Sequence, residues 1–136
     1  NDQIEEAWLD ESLATYSEII YSDEIYGEKI GKEEYEEMKG YYDYIAESYN
    51  FEKTVVKSLE DFNDWNDYGA LVYYRGAMFL DEIKKDFGKE ILYDILNKYY
   101  HKHRFFNAKT EDFIKICEEV TGVSFEKRAN KWLYNK

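Results

Sequence analysis

The stretch that decides the fold of this chain reads Trp8-Leu9-Asp10-Glu11-Ser12-Leu13-Ala14-Thr15-Tyr16. Within it and just beyond, large apolar side chains stand three or four positions apart, at Leu9, Leu13, Tyr16 and Ile20. This spacing places them on one face of an amphipathic α-helix. We predict a helix over about residues 7–26, because a glycine that can stop it follows at Gly27.

The same periodicity extends through most of the chain. Proline is absent and the 7 glycines mostly stand where helices should stop, which favours an all-helical chain. Further helices are predicted over about residues 32–49, 67–87, 89–102, 110–121 and from 124 onward. Residues 50–66 are less regular, and Thr54-Val55-Val56 is compatible with a short extended piece. The sequence therefore predicts an all-α fold in a single domain over residues 1–136.

Two of these helix boundaries depend on single residues. Gly31 is predicted to precede the second helix. Thr110, followed by two acidic residues, is predicted as the N-cap of the helix that ends at Gly122.

Composition and charge limit the classes of function. A chain of 136 residues with 19% aromatic residues can bury a core. Its net charge of −12 argues against nucleic acid and against an anionic membrane surface as partners. No apolar run approaches the roughly 20 residues that span a bilayer. The single cysteine, Cys117, falls on an apolar helix face and is predicted as core. No signal peptide is visible, which says little about the compartment if the chain is a fragment. The location is left open, with the cytoplasm favoured.

Glu11 is a candidate functional residue because its helical neighbours are small. Three and four positions away stand Ala7, Ala14 and Thr15, so Glu11 would project from a shallow face that another group could approach. On the residue pattern alone, a solvated surface glutamate is the alternative.

A second candidate segment reads Tyr73-Tyr74-Arg75-Gly76-Ala77. Glycine inside a helix costs about 1 kcal/mol relative to alanine, so Gly76 indicates that another part of the backbone passes close by. Tyr73 is the preferred candidate, and Tyr74 would point away by about a hundred degrees. A tyrosine that only packs, with its hydroxyl at the surface, is the alternative.

Taken as an ordered pair, the two segments resemble half of the active site of the aminopeptidase N and leukotriene hydrolase family. These enzymes are gluzincins, zinc peptidases with a thermolysin-like catalytic domain. Their W-L-x-E-G-x-A segment supplies the third zinc ligand, and a later Y-x-K-G segment supplies a tyrosine that stabilises the transition state. The matching positions here are Trp8, Leu9, Glu11, Ala14, Tyr73, Arg75 and Gly76.

The resemblance implies that the chain is the helical lobe of such a catalytic domain, downstream of its H-E-x-x-H helix. Glu11 would be a metal ligand and Tyr73 a catalytic residue. No H-E-x-x-H pattern occurs in the chain, so both zinc histidines would lie upstream of Asn1. We expect zinc and a peptide substrate in the longer parent protein. In the isolated chain we expect no zinc and no activity.

The chain departs from the family pattern at several positions, and none of the departures removes a ligand. Asp10 stands where the family usually has Asn, and Arg75 stands where it has Lys. Ser12 replaces a glycine, which would narrow the approach of another backbone. His101 and His103 are two positions apart, so they would point to different helix faces and are predicted to be surface residues.

A non-catalytic helical module is the second hypothesis. The chain could be an interaction domain, or a relative that kept the fold and lost the zinc. An H-E-x-x-H sequence upstream of Asn1 would discriminate between the two hypotheses.

Overall fold

The computed structural model describes residues 2–136, in which no strand occurs and the longest irregular connection, residues 49–64, lies between the second and third α-helices. The all-α prediction is therefore confirmed. The α-helices are α1 (Trp8–Tyr26), α2 (Glu28–Ser48), α3 (Trp65–Tyr68), α4 (Gly76–Phe87), α5 (Lys89–His103), α6 (Thr110–Thr121) and α7 (Glu126–Ala129). A 3-10 turn covers Leu59–Asp61, and π-helical segments cover Gly69–Arg75 and Asn130–Tyr134.

The turn between α1 and α2 is formed by Gly27, whose φ of 97° is accessible to glycine without strain. Helix α2 begins at Glu28, so the prediction that Gly31 precedes it is wrong. Gly31 lies inside α2 because the two helices approach closely there. A β-carbon at residue 31 would lie 2.9 Å from Cβ of Asp23.

One continuous helical rod runs from Trp65 to Phe87, and its middle part, Gly69–Arg75, is π-helical. At the end of this part the N–H of Gly76 bonds to the carbonyl of Leu71, five residues back. The helix was predicted from a 3.6-residue period, which does not reveal such an insertion. The difference matters because the π-helical segment carries Tyr73.

The core is centred on α1 and on the rod. The rings of Trp8 and Phe79 meet edge to face with centroids 6.1 Å apart, and Trp8 meets Phe113 in the same way at 5.8 Å. Deeper in, the hydroxyl of Tyr16 donates to the carboxylate of Asp81 at 2.9 Å. Cys117 is fully buried, as predicted. These contacts hold α1 against α4 and α6, so the position of α1 is fixed along its length.

Helix α6 begins differently from the prediction. Thr110 is its first residue and not its N-cap, which is Lys109. The Lys109 N–H bonds to the carboxylate of Asp112, and the Thr110 N–H bonds to the carboxylate of Glu6. A residue from the segment before α1 therefore caps this helix, and the Thr110 hydroxyl donates to the same Glu6 carboxylate.

The C-terminal π-helical segment Asn130–Tyr134 closes the fold. The carbonyl of Leu133 accepts the N–H of Val55 at 2.8 Å. The extended piece predicted around Val55 thus pairs with a helix end and with no strand.

None of the helices described in residues 2–136 is long and apolar enough to cross a membrane.

Candidate active site

Glu11 lies in the first turns of α1, on the side of the helix that faces the π-helical segment. Its side chain is half-buried, whereas the adjacent Asp10 is exposed. Two tyrosines of the rod, Tyr68 and Tyr73, lie close enough to the Glu11 carboxylate for its charge to act on their hydroxyls.

Tyr73, on the rod, interacts with Glu11. The Glu11 carboxylate lies close enough to Tyr73 for its negative charge to act on the ionisation of the phenol. Burial, followed by the negative charge of Glu11 and the hydrogen bond to it, raises the pKa of Tyr73 to about 12. The phenol therefore stays protonated at neutral pH and keeps its O–H as a donor. The structure thus brings together the two residues that sequence reasoning selected.

Tyr68 is a third member of the cluster, and sequence reasoning missed it. Its ring meets that of Tyr73 with centroids 6.0 Å apart. Burial and the nearby Glu11 carboxylate raise its pKa. Residues five apart share a face where bonds run from i to i+5, as in the π-helical segment, but not in an α-helix. Only knowledge of that segment could have pointed to Tyr68.

Two further aromatic side chains extend the cluster away from Glu11. Phe62 meets Tyr68 edge to face at 5.1 Å, and Trp65 lies against Tyr68 at 5.2 Å. Trp65 is 72% exposed, although it is one of the largest apolar side chains of the chain. The carboxylate of Glu11 is therefore bordered on one side by an aromatic surface that is open to solvent.

Ser12 and Gly76 form the contact between α1 and the rod. Ser12 is fully buried, and its hydroxyl donates to the carbonyl of Val72. A β-carbon at residue 76 would lie 1.9 Å from Oγ of Ser12 and 3.3 Å from the ring of Trp8. Gly76 was predicted to mark the close passage of another part of the backbone, and this is wrong, because the atoms that lie against it belong to side chains. The partner is the side chain of Ser12, which leaves room for nothing larger at residue 76.

Tyr74 and Arg75 point away from Glu11. The ring of Tyr74 meets that of Tyr41 on α2, with centroids 5.6 Å apart. The guanidinium of Arg75 is buried and donates to the hydroxyl of Tyr42 at 3.0 Å. It also donates to the carbonyls of Lys131 and Trp132 at 2.8 and 3.0 Å. Arg75 therefore joins three parts of the fold and takes no part in the cluster around Glu11.

The chain supplies few of the ligands that a metal ion at Glu11 would need. Across residues 2–136, no three His, Cys, Asp or Glu side chains are grouped so as to hold an ion. Glu11 offers one carboxylate, which is a common ligand of zinc. A metal at Glu11 would need its other ligands from outside this range. His101 is exposed as predicted, whereas His103 is half-buried and stacks on Tyr99 at 5.5 Å.

Comparison with known proteins identifies the family to which the chain belongs. The family model described as the peptidase family M1 domain matches residues 1–132. The chain belongs to peptidase family M1. The resemblance noted from the two segments is confirmed, because both segments lie inside the matched range and the relatives below are aminopeptidases by name.

Two aminopeptidases are similar in sequence to nearly the whole of this chain. Aminopeptidase N of Streptomyces lividans is 22% identical over 129 residues, which cover 93% of this chain. Aminopeptidase M1 of Arabidopsis thaliana is 28% identical over 132 residues, which cover 95% of this chain. The chain spans only 15% of the length of each of these relatives. No solved structure matches it significantly.

Proposed function

We propose that the full-length protein is a zinc aminopeptidase in which Glu11 is a zinc ligand and Tyr73 acts on the substrate. The observation that carries the proposal is that Glu11 and Tyr73, 62 positions apart in sequence and on two different helices, lie close enough for the Glu11 charge to act on the Tyr73 phenol. Family membership supports it, since both relatives are named aminopeptidases.

The two residues have separate roles. Bound zinc would polarise the scissile carbonyl and activate a water. Glu11, near the start of α1, would contribute a carboxylate oxygen to the metal. Tyr73 keeps its proton at neutral pH, so it can donate a hydrogen bond to the carbonyl oxygen as negative charge develops there.

Tyr68 and Trp65 border this site without offering it a charge. Their rings would contact a peptide that reaches Tyr73, because they continue the aromatic surface next to it. The two zinc histidines and the general base would come from an H-E-x-x-H helix upstream, as the resemblance implies. The present chain would then form the helical lobe that completes the zinc site.

The test uses the full-length protein and a set of amino-acid 4-nitroanilides. Hydrolysis should be lost on treatment with 1,10-phenanthroline and restored by added zinc. Glu11→Ala should lower both the zinc content per protein and the rate of hydrolysis. Glu18→Ala is the control, since Glu18 is an exposed glutamate on the same helix, and it should change neither quantity.

Two results would contradict the proposal in different ways. Full zinc content and full activity in Glu11→Ala would remove Glu11 from the metal site. A folded full-length protein that neither binds zinc nor hydrolyses any of the substrates would favour the non-catalytic helical module.

A further inference from the structure

We propose that Ser12 is a positioning residue: through the carbonyl of Val72 it holds the π-helical segment so that Tyr73 faces Glu11. This inference rests on the proposed role of Tyr73. Ser12 itself touches neither a substrate nor a metal in this proposal, since its side chain is fully buried between α1 and the rod.

The first observation is the hydrogen bond of Ser12. Its hydroxyl donates to the main-chain carbonyl of Val72, the residue immediately before Tyr73. Ser12 is also the residue immediately after Glu11. The bond therefore joins α1 to the rod at positions adjacent to both proposed functional residues, and any shift of the rod along α1 would have to break it.

The second observation concerns the carbonyl that accepts this bond. In an α-helix the N–H of Gly76 would bond to the carbonyl of Val72, four residues back. Here that N–H bonds to the carbonyl of Leu71 instead. The Val72 carbonyl therefore does not receive the Gly76 N–H, and the Ser12 hydroxyl donates to it. Ser12 therefore offsets part of the cost of keeping this segment π-helical.

The third observation is the fit on the other side of Ser12. A β-carbon at residue 76 would lie 1.9 Å from Oγ and 2.8 Å from Cβ of Ser12. The side chain is thus confined between the carbonyl of Val72 and the backbone of Gly76. If the segment became a regular α-helix, each residue would be turned by 100° and not by the smaller angle of a π-helix, so Tyr73 would rotate away from Glu11.

The test is a double-mutant cycle in the full-length protein, with kcat and KM for an amino-acid 4-nitroanilide. Ser12→Gly and Ser12→Ala both remove the hydroxyl that bonds to the Val72 carbonyl. Each should lower kcat by roughly 10- to 100-fold with little change in KM, because a group that acts in the transition state is misplaced. Ser22→Ala, at another buried serine of α1, is the matched control and should leave kcat unchanged.

The cycle separates positioning from general destabilisation. In a Tyr73→Phe background, Ser12→Gly should cause almost no further loss of kcat, because no hydroxyl remains to be positioned. If the two losses multiply, or if Ser12→Gly and Ser12→Ala both keep full kcat, the inference is overturned while the role of Tyr73 stands. If Tyr73→Phe alone keeps full kcat, the proposed role of Tyr73 fails, and the inference fails with it. Should Ser12→Gly not fold, Ser12→Ala decides in the same cycle.

Discussion

The indole N–H of Trp8 donates a hydrogen bond of 2.7 Å to the hydroxyl of Thr110, 102 residues further along the chain. The same hydroxyl donates to the carboxylate of Glu6 at 2.7 Å. All three residues are buried. Thr110 therefore links the start of α1, which carries Glu11, to the start of α6.

Replacing Thr110 by valine should destabilise the chain. Valine has nearly the same shape but no hydroxyl, so the buried indole N–H loses its acceptor and Glu6 loses a donor. The loss of unfolding free energy should be about 1–3 kcal/mol. Urea unfolding followed by circular dichroism is the measurement. Thr110→Ser keeps the hydroxyl and should cost clearly less; equal losses in the two variants would assign the effect to packing.

Tyr73→Phe in the full-length protein should lower kcat by about 10²–10³-fold, the typical cost of one donor to a developing oxyanion. The ring and its contact with Tyr68 remain, so KM and zinc content should change little. Steady-state kinetics together with metal analysis provide the measurement.

Tyr74→Phe is the matched control for this prediction. Its ring packs on Tyr41 and away from Glu11, so kcat should be nearly unchanged. A loss of kcat in Tyr74→Phe with full kcat in Tyr73→Phe would mean that the register of the π-helical segment is wrong by one residue.

Gly76→Ala should destabilise the chain, because the new methyl group would overlap with Oγ of Ser12. Forcing one methyl group into such a contact costs about 1–3 kcal/mol. The control is Gly40→Ala. Gly40 also lies inside a helix, but nothing stands within 4 Å of its would-be β-carbon. Alanine there should raise stability by up to about 1 kcal/mol.

Compensation tests the cause of the Gly76→Ala effect. Adding Ser12→Gly to Gly76→Ala removes the overlapping side chain and should restore part of the lost unfolding free energy. If the double variant is less stable than both single variants, the overlap with Ser12 is not the cause.

The lowered pKa of Asp67 leads us to expect that the chain loses stability in acid. Burial by itself would raise its pKa, but the N–H groups of Asn63 and Asp64 and the charge of Lys57 outweigh burial and lower it. A carboxylate whose pKa is lower in the folded state stabilises the fold above its unfolded pKa. That stabilisation is lost as the pH falls through the folded pKa. The loss should therefore occur below about pH 4.

Asp67→Asn should remove this contribution. Its unfolding free energy at pH 7 should fall by about 1–3 kcal/mol, and the further fall in acid should be shallower than in the unmodified chain. Urea unfolding at pH 7 and at pH 3 measures both quantities. Asp61→Asn, at an exposed carboxylate nearby, should leave the pH dependence unchanged; a shallower acid fall in that variant would contradict the assignment to Asp67.

Much of the fold could be predicted because its helix ends depend on local signals. The glycines that end helices, Gly27, Gly88 and Gly122, all have a positive φ. Glycine adopts this conformation at little cost because it has no β-carbon. The positions of Glu11 and Tyr73 were predicted from the family resemblance, because each segment alone reads as an ordinary helix.

The remaining features depend on contacts between distant segments. Gly31 reads as a helix stop, whereas its role is to let Asp23 approach. Arg75 reads as part of a functional motif, although its guanidinium bonds to main-chain carbonyls near the C-terminus. Tyr68 escaped prediction because the inserted residue of a π-helix leaves no mark in apolar periodicity.

The bonds of Arg75 and Val55 to the C-terminal π-helical segment also determine where the chain can be shortened. A truncation that removed Lys131 and everything after it would leave the buried guanidinium of Arg75 without two of its acceptors. The N–H of Val55 would lose its acceptor as well. Both losses would fall on the rod and on the segment before it, far from the cut. We therefore expect residues up to Leu133 to be needed for cooperative unfolding of the chain, and a protease that removes them should loosen the helix that carries Tyr73.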